Sequence, residues 1–201
     1  MQSPGSADVD VWTIRLGRRD RRLARDAMLA ILGRYVDGAP NSLEIETTPG
    51  GKPYLPAVQL HFNLSHSRDM ALVAISREAP VGIDLEHPRE FRAPDRLARR
   101  ICSEREYASL QRLGDPPVAS PHAQRQLLRL WVRKEAVLKG TGEGLARDPD
   151  QVDVLDDELA DGWRCLDLPS PAPGYLAALA IRARTPSITL REWPLDQPVR
   201  R

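Results

Sequence analysis

The chain has 201 residues, a formal net charge of +1, 41% hydrophobic residues and 28% charged residues. This length can bury a core of one large domain or two small ones, and the composition is that of an ordinary globular protein. The near-neutral charge gives no overall field that would attract nucleic acid or a membrane surface, and no apolar run approaches membrane-spanning length, so we expect neither partner.

The N-terminal part alternates extended and helical patterns. Residues 1–8 are predicted to be a disordered lead, followed by a strand over Val9–Leu16. Residues 20–35 carry apolar side chains at helical spacing, and Asp37-Gly38 is a natural stop. A short strand over Glu44–Thr48 then precedes a turn at Pro49-Gly50-Gly51-Lys52-Pro53.

Further elements follow in the middle of the chain. Leu60–Leu64 and Met70–Ser76 are predicted to pair as strands around a turn at residues 65–69. The sequence Ser103-Glu-Arg-Glu106 is typical of a capping box that opens a helix. A second helix is predicted to begin at Pro121, with Ser120 as its cap, and to end at Gly140.

The C-terminal part completes the pattern. Strands are predicted near 151–155, 163–167, 175–183 and 187–192. Because strands and helices recur in both parts, we predict an α+β fold of two similar halves, residues 9–80 and residues 81–201.

Cysteine usage bears on the compartment. Cys102 and Cys165 have neither metal-site spacing nor the pattern of a disulfide framework. The N-terminus has no apolar signal core. These features favour a cytoplasmic protein.

Two carboxylates alternate in the apolar run Val81-Gly-Ile-Asp-Leu-Glu86. On a strand, Asp84 and Glu86 would project from one face. Two like charges this close repel each other unless a cation neutralises them, and hard oxygen ligands suit Mg²⁺. The alternative is an exposed strand face without a ligand.

A third carboxylate and a cation lie on the predicted second helix. Glu135 and Lys139 are four residues apart in Trp131-Val-Arg-Lys-Glu-Ala-Val-Leu-Lys139, so they share a helical face. Alone, they would be an ordinary ion pair worth roughly 0.2–0.5 kcal/mol. Together with Asp84 and Glu86, they suit a divalent metal that holds a polyphosphate.

Two polar turns are weaker signals. Gly51-Lys52-Pro53 would hold the Lys52 side chain outward, and Phe62-Asn-Leu-Ser-His-Ser67 would let His66 donate to a phosphate oxygen. Each turn alone is more often purely structural.

Arginines are concentrated in two stretches, residues 15–25 and residues 89–105. Such stretches are usually solvated helix faces, but either could meet phosphate groups or an acidic partner. The second stretch directly follows Glu86, so it could lie at the mouth of the same site.

In their order and joint presence, these motifs resemble the 4'-phosphopantetheinyl transferase superfamily, of the surfactin-synthetase-activating (Sfp-like) type. The resemblance covers roughly residues 15–155, with further similarity at Arg100–Tyr107 and Gly142–Leu145. It implies a pseudo-dimer of two α+β halves with coenzyme A in the cleft between them. The implied reaction moves the phosphopantetheine arm of coenzyme A onto a serine of an apo acyl or peptidyl carrier protein, with Mg²⁺, and releases 3',5'-ADP.

The resemblance also implies roles for individual residues. Asp84, Glu86 and Glu135 match the magnesium ligands, and Asp84 also belongs to the coenzyme A site. Glu135 matches the base that deprotonates the carrier serine, and Lys139 matches a catalytic lysine on the coenzyme A phosphates. The remaining coenzyme A contacts are matched by Lys52, Ser65, His66 and Arg21, with Arg22 and Arg25 as rivals of Arg21.

The N-terminal region departs from the family pattern. Relatives carry an additional basic helix before the arginine-bearing one, and here only Val9–Gly17 precedes it. Two other classes of protein stay open at this point. One is another Mg²⁺-dependent enzyme that acts on a diphosphate, and the other is a non-catalytic module that binds coenzyme A or a carrier protein.

Overall fold

A computed structural model of the chain describes residues 6–17, 21–36 and 43–194. The strands of this part are β1 (Ser6–Arg15), β2 (Glu46–Thr47), β3 (Pro53–Tyr54), β4 (His61–Ser67), β5 (Met70–Ser76), β6 (Val81–Glu86), β7 (Arg164–Leu168), β8 (Leu176–Ile181) and β9 (Thr185–Glu192). The α-helices are α1 (Arg21–Leu32), α2 (Pro94–Ile101), α3 (Glu104–Gln111) and α4 (Pro121–Thr141). The predicted α+β class is confirmed.

The strands form two main sheets and a small hairpin. The first sheet has the order β4-β5-β1-β9, the second has the order β6-β8-β7, and β2 pairs with β3. All neighbours are antiparallel except β1 and β9, which run parallel. Because β9 comes from the end of the chain, the first sheet is not built from residues 9–80 alone.

The two sheets pack face to face, with a helix on each outer side. In β5, Met70 and Leu72 point toward the second sheet, whereas Ala71 and Val73 point toward α1. This alternation follows from the two-residue period of a strand that is buried on both faces. The layers therefore run α1, first sheet, second sheet and α4, with α2 and α3 beside α4.

Helix α4 has a clear start and end. The Ser120 hydroxyl accepts a hydrogen bond from Ala123 N at 3.1 Å, and Pro121 occupies the first turn, as predicted. The predicted C-terminal stop at Gly140 is wrong by two residues, because the helix continues through Thr141 and is capped by Gly142 at φ +78°. Glycine adopts this left-handed conformation without steric cost.

Gly140 has a packing role instead of a capping role. A methyl group there would lie 2.7 Å from the Trp163 ring, and one at Gly82 would lie 2.1 Å from the Ala136 carbonyl oxygen. The two glycines therefore allow β6 to approach the last turns of α4 closely. Since β6 carries Asp84 and α4 carries Glu135, this contact sets the distance between the two elements.

Several predicted boundaries need correction. β1 begins at Ser6, so it includes residues 6–8, which the sequence predicts to belong to the disordered lead. β4 continues to Ser67, so Ser65 and His66 lie in a strand and not in a turn. The predicted strand near 151–155 is absent from the described residues, where Pro149–Gln151 forms a 3₁₀ turn. The predicted stop at Asp37-Gly38 lies outside the described residues.

No helix within the described ranges combines the length and the apolar character needed to cross a bilayer.

Candidate active site

The edge strands of the two sheets meet at a row of polar side chains. Asn63, Ser65 and Ser67 alternate along β4 and face β6, while Phe62 packs into the α1 side of the core. The Asn63 carboxamide oxygen accepts a hydrogen bond from Ile83 N at 2.9 Å. Side chains of β4 thus take the place of a main-chain ladder between the two sheets.

Asp84 is the most enclosed member of this row, with 4% of its surface exposed. Its Oδ1 accepts hydrogen bonds from Ser65 Oγ at 2.8 Å and from Lys139 Nζ at 2.6 Å. Lys139 Nζ also lies 3.2 Å from Ser65 Oγ. The other carboxylate oxygen, Asp84 Oδ2, is buried and has no hydrogen-bond partner among the described residues. A buried carboxylate oxygen without a donor is costly unless something else binds it.

Glu86 is held in the same way, two residues further along both strands. Ser67 Oγ donates to Glu86 Oε2 at 2.9 Å and accepts from His87 N at 3.2 Å. Sequence reasoning missed Ser67. Its spacing of two residues from Ser65 was the available signal, because strand periodicity places both hydroxyls on one face.

Glu135 completes an acidic cavity of about 420 Å³, lined with Ser65, His66, Asp84, Glu86, Arg89, Trp131, Glu135 and Lys139 among others. Burial raises the pKa of the Glu135 carboxyl, the charge of Asp84 raises it further, and the charge of Lys139 opposes this shift. Six of the predicted site residues are therefore brought together by β4, β6 and α4.

The donor set fits a hard divalent cation. Within the described ranges, no three His, Cys, Asp or Glu side chains converge at metal-binding spacing. However, Asp84 Oδ2 is buried and has no donor in the described part of the chain, and Glu86 and Glu135 line the same cavity. Oxygen ligands of this kind suit Mg²⁺, which takes its remaining ligands from phosphate groups and water.

Lys52 lies outside this cavity lining. Its Nζ donates to the main-chain oxygens of Val81 at 3.0 Å and of Gly140 at 2.5 Å. Burial lowers the pKa of this ammonium to about 8. Arg21 begins α1, but its side chain lies outside the described part of the structure.

A buried ion pair joins α4 to α3. Lys134 Nζ lies 2.6 Å from Glu106 Oε2, and both side chains are fully buried. Lys134 also donates to the main-chain oxygens of Pro149 and Val152. Glu106 accepts from Val154 N at 2.8 Å and closes the predicted capping box on Ser103, which is confirmed. Lys134 therefore has a structural role, although it adjoins Glu135 in the sequence.

Comparison with known proteins gives a consistent family. Residues 80–173 match the model of the 4'-phosphopantetheinyl transferase superfamily. The chain is 34% identical over 176 residues to the 4'-phosphopantetheinyl transferase HetI of Nostoc sp., covering 82% of this chain and 71% of that protein. It is 28% identical over 159 residues to the 4'-phosphopantetheinyl transferase Sfp of Bacillus subtilis, covering 78% of this chain and 66% of Sfp.

A third relative aligns over a smaller share. A 4'-phosphopantetheinyl transferase of Bacillus subtilis is 35% identical over 124 residues, which is 59% of this chain and 49% of that protein. The chain thus spans about half to seven tenths of the length of these relatives.

Proposed function

Because the chain belongs to the 4'-phosphopantetheinyl transferase superfamily, we propose that it transfers the phosphopantetheine arm of coenzyme A to a serine of an apo acyl or peptidyl carrier protein. The products are the modified carrier and 3',5'-ADP. The transferase class follows from the family, whereas the substrates and the metal are proposed.

The observation that carries the proposal is the state of Asp84. One of its oxygens is fixed by Ser65 and Lys139, and the other is buried without a donor among the described residues. A site built only for structure would satisfy both oxygens. A carboxylate held in one orientation with a spare oxygen is suited to binding a cation on the cavity side.

Asp84, Glu86 and Glu135 are the residues that would hold Mg²⁺. When bound, Mg²⁺ supplies positive charge that neutralises the pyrophosphate oxygens during transfer. The chain's part is to orient these carboxylates, and Ser65 and Ser67 do so from β4. Since little covalent work falls to the protein in such a reaction, orientation and charge are its main contributions.

The covalent change takes place at one phosphorus. The oxygen of the carrier serine attacks the β-phosphorus of coenzyme A, a phosphoester bond forms, and the bond to the bridging oxygen breaks. The electron pair leaves with 3',5'-ADP. Glu135 takes the serine proton, directly or through water, because its carboxylate lines the same cavity as Asp84 and Lys139. The Lys139 ammonium offsets charge on the departing phosphate.

Ser65 and His66 line the cavity and are proposed as coenzyme A contacts, and Arg21 is proposed to contact its nucleotide end. We place coenzyme A in a cleft between two pseudo-symmetric halves. The layer order, with a helix outside each sheet, supports this view. The arginines of α2 and its flanks, residues 89–105, are proposed to face the acidic surface of the carrier.

The test incubates the protein with coenzyme A, Mg²⁺ and an apo carrier protein and measures the carrier mass. We expect the mass increase of one phosphopantetheine, dependent on Mg²⁺. Glu135→Gln keeps the size of the side chain but removes its basicity, so turnover should fall far more than coenzyme A affinity. Binding of coenzyme A without any mass change in the wild type would instead identify a non-catalytic binding module. Hydrolysis of the diphosphate without carrier modification would identify another Mg²⁺-dependent enzyme.

A further inference from the structure

Lys52 lies in a turn whose shape is fixed by its own hydrogen bonds. Thr48 N donates to Lys52 O at 2.9 Å, Lys52 N donates to Thr48 Oγ1 at 3.1 Å, and Gly51 N donates to Thr48 O at 2.8 Å. Gly51 has φ +82°, which a residue with a side chain would adopt only with strain. We call residues 48–52 the β2–β3 turn. Its closed form determines where the Lys52 side chain starts.

The β2–β3 turn rests against the C-terminal end of α4. A methyl group at Gly50 would lie 1.8 Å from the Gly142 carbonyl oxygen, and one at Gly144 would lie 3.0 Å from the Gly50 oxygen. The Lys52 stem passes next to Gly142, because a methyl group there would lie 3.4 Å from Lys52 Cδ. The contact is thus main chain against main chain, and it leaves little freedom to the turn.

From this turn the Lys52 ammonium reaches two carbonyl oxygens that belong to different elements. Val81 O is at the first residue of β6, three residues before Asp84, and Gly140 O directly follows Lys139 on α4. The same two elements touch at Gly82 and Gly140. The Lys52 ammonium therefore joins the first residue of β6 to the last turn of α4, and these two elements carry the site.

We propose that Lys52 is a positioning residue that fastens the start of β6 to the last turn of α4. In doing so it holds Asp84 and Glu86 at a fixed separation from Glu135 and Lys139. This differs from the coenzyme A contact that the family resemblance implies, because both carbonyl partners of Lys52 lie in the protein's own main chain. The catalytic part of the proposal rests on the proposed function, but the fastening itself does not.

The exposed end of α4 offers a matched control. Arg147 pairs with Glu143 at 3.2 Å, and both side chains are more than a third exposed. Replacing Arg147 by methionine removes one positive charge near the same end of α4 without touching the bridge. Lys52→Met keeps the length and apolar bulk of the stem and removes the ammonium.

Hydrogen exchange measured by mass spectrometry tests the fastening without reference to activity. In Lys52→Met, peptides covering residues 138–144 and 79–86 should exchange about tenfold faster or more than in the wild type, while a β9 peptide stays unchanged. Arg147→Met should leave all of these peptides unchanged. Unaltered exchange in Lys52→Met would overturn the proposal. If Lys52→Met does not fold, Lys52→Gln, which keeps an uncharged NH₂ donor, should give the same pattern in weaker form.

Kinetics then separate positioning from cofactor binding. Lys52→Met should lower kcat by about 10- to 100-fold, since a displacement near 1 Å costs that much, and should leave the calorimetric Kd of coenzyme A within about twofold. Loss of coenzyme A affinity with unaltered exchange and kcat would make Lys52 a cofactor contact. If the wild type itself modifies no carrier, the proposed function fails, and the exchange experiment still decides whether Lys52 joins β6 to α4.

Discussion

The Lys139 ammonium lies 2.6 Å from Asp84 Oδ1, although 55 residues separate the two in the chain. This ion pair joins α4 to β6, and the Ser65 hydroxyl of the first sheet lies within hydrogen-bond distance of both partners. Three separate elements thus meet at one carboxylate oxygen. The second oxygen of the same carboxylate faces no donor among the described residues.

Asp84→Asn should abolish transfer without lowering stability. The variant keeps an oxygen that can accept from Ser65 and Lys139, and it removes a buried charge whose second oxygen has no donor among the described residues. We expect kcat to fall by about 10²–10³-fold or more, as for other groups that stabilise transition-state charge. The melting temperature should stay the same or rise. Carrier mass and a thermal melt measure the two effects, and activity within about tenfold of wild type at saturating Mg²⁺ would contradict the assignment.

Ser67→Ala should remove the hydrogen bond that orients the Glu86 carboxylate. The hydroxyl donates to Glu86 Oε2 and accepts from His87 N, so its loss frees the carboxylate to turn. A hydrogen bond to a charged group is worth about 1.5–3 kcal/mol. We expect the Mg²⁺ concentration for half-maximal activity to rise, with calorimetry of Mg²⁺ on the protein–coenzyme A complex as a second readout. Ser67→Thr should restore most of the affinity, and equal Mg²⁺ affinity in Ser67→Ala would refute the role.

Lys134→Met should destabilise the fold strongly. It leaves Glu106 charged and fully buried, and it leaves the Pro149 and Val152 oxygens without this donor. Removing one partner of a buried ion pair costs about 3–5 kcal/mol of unfolding free energy. Urea denaturation measures this loss. The control is Arg105→Met, because Arg105 pairs at the surface with Asp153 and Asp156. Such exposed pairs are worth about 0–1 kcal/mol, so similar losses in both variants would contradict the prediction.

Lys52 should make stability rise with pH in one window. Its folded-state pKa is about 8, below its ordinary value of 10.5, so between these values the unfolded chain binds more protons than the folded one. Stability then increases with pH, by at most about 1.4 kcal/mol per pH unit.

The matched comparison for this pH effect is Lys52→Met, which should lack it. Burial raises the thiol pKa of Cys102 and of Cys165 to about 12, which works in the opposite direction above pH 9 in both proteins. The pKa of nearby His61 is lowered, chiefly by burial and further by the charge of Lys52, so His61 is neutral throughout this window. The difference in unfolding free energy between wild type and variant, followed by urea titration, therefore isolates Lys52. A difference that does not change with pH would contradict the shift.

The parts of the fold that were predictable from the sequence are those set by local periodicity. β5 occupies Met70–Ser76 as predicted, because its apolar run is buried on both faces. The sequence predicts that the strand of β4 ends at Leu64, because the polar residues that follow are typical of a turn. In the structure they face the edge of the second sheet and remain in the strand. Val152 and Val154 are buried without belonging to a strand, and only the tertiary contact with α4 explains this.

The candidate site also has a part that is predictable from local spacing and a part that depends on tertiary contacts. Asp84 with Glu86, and Glu135 with Lys139, share a face within one element, so spacing alone paired them. The serine–carboxylate pairs and the Lys52 bridge each join different elements, and the sequence has no local signal for such a contact. The serines and Lys52, which position the carboxylates, are therefore harder to predict from the sequence than the carboxylates themselves.

The chain has 26 arginines but only three lysines, and all three ammonium groups are engaged around α4. An amine-selective reagent would therefore meet no lysine on the native protein that is fully open to solvent. Lys139, with 30% of its side chain exposed, should react before Lys134, which has none. The relative rates of lysine modification would therefore report how accessible each ammonium group around α4 is to solvent. Protection of Lys139 by added coenzyme A could be followed peptide by peptide without any substitution.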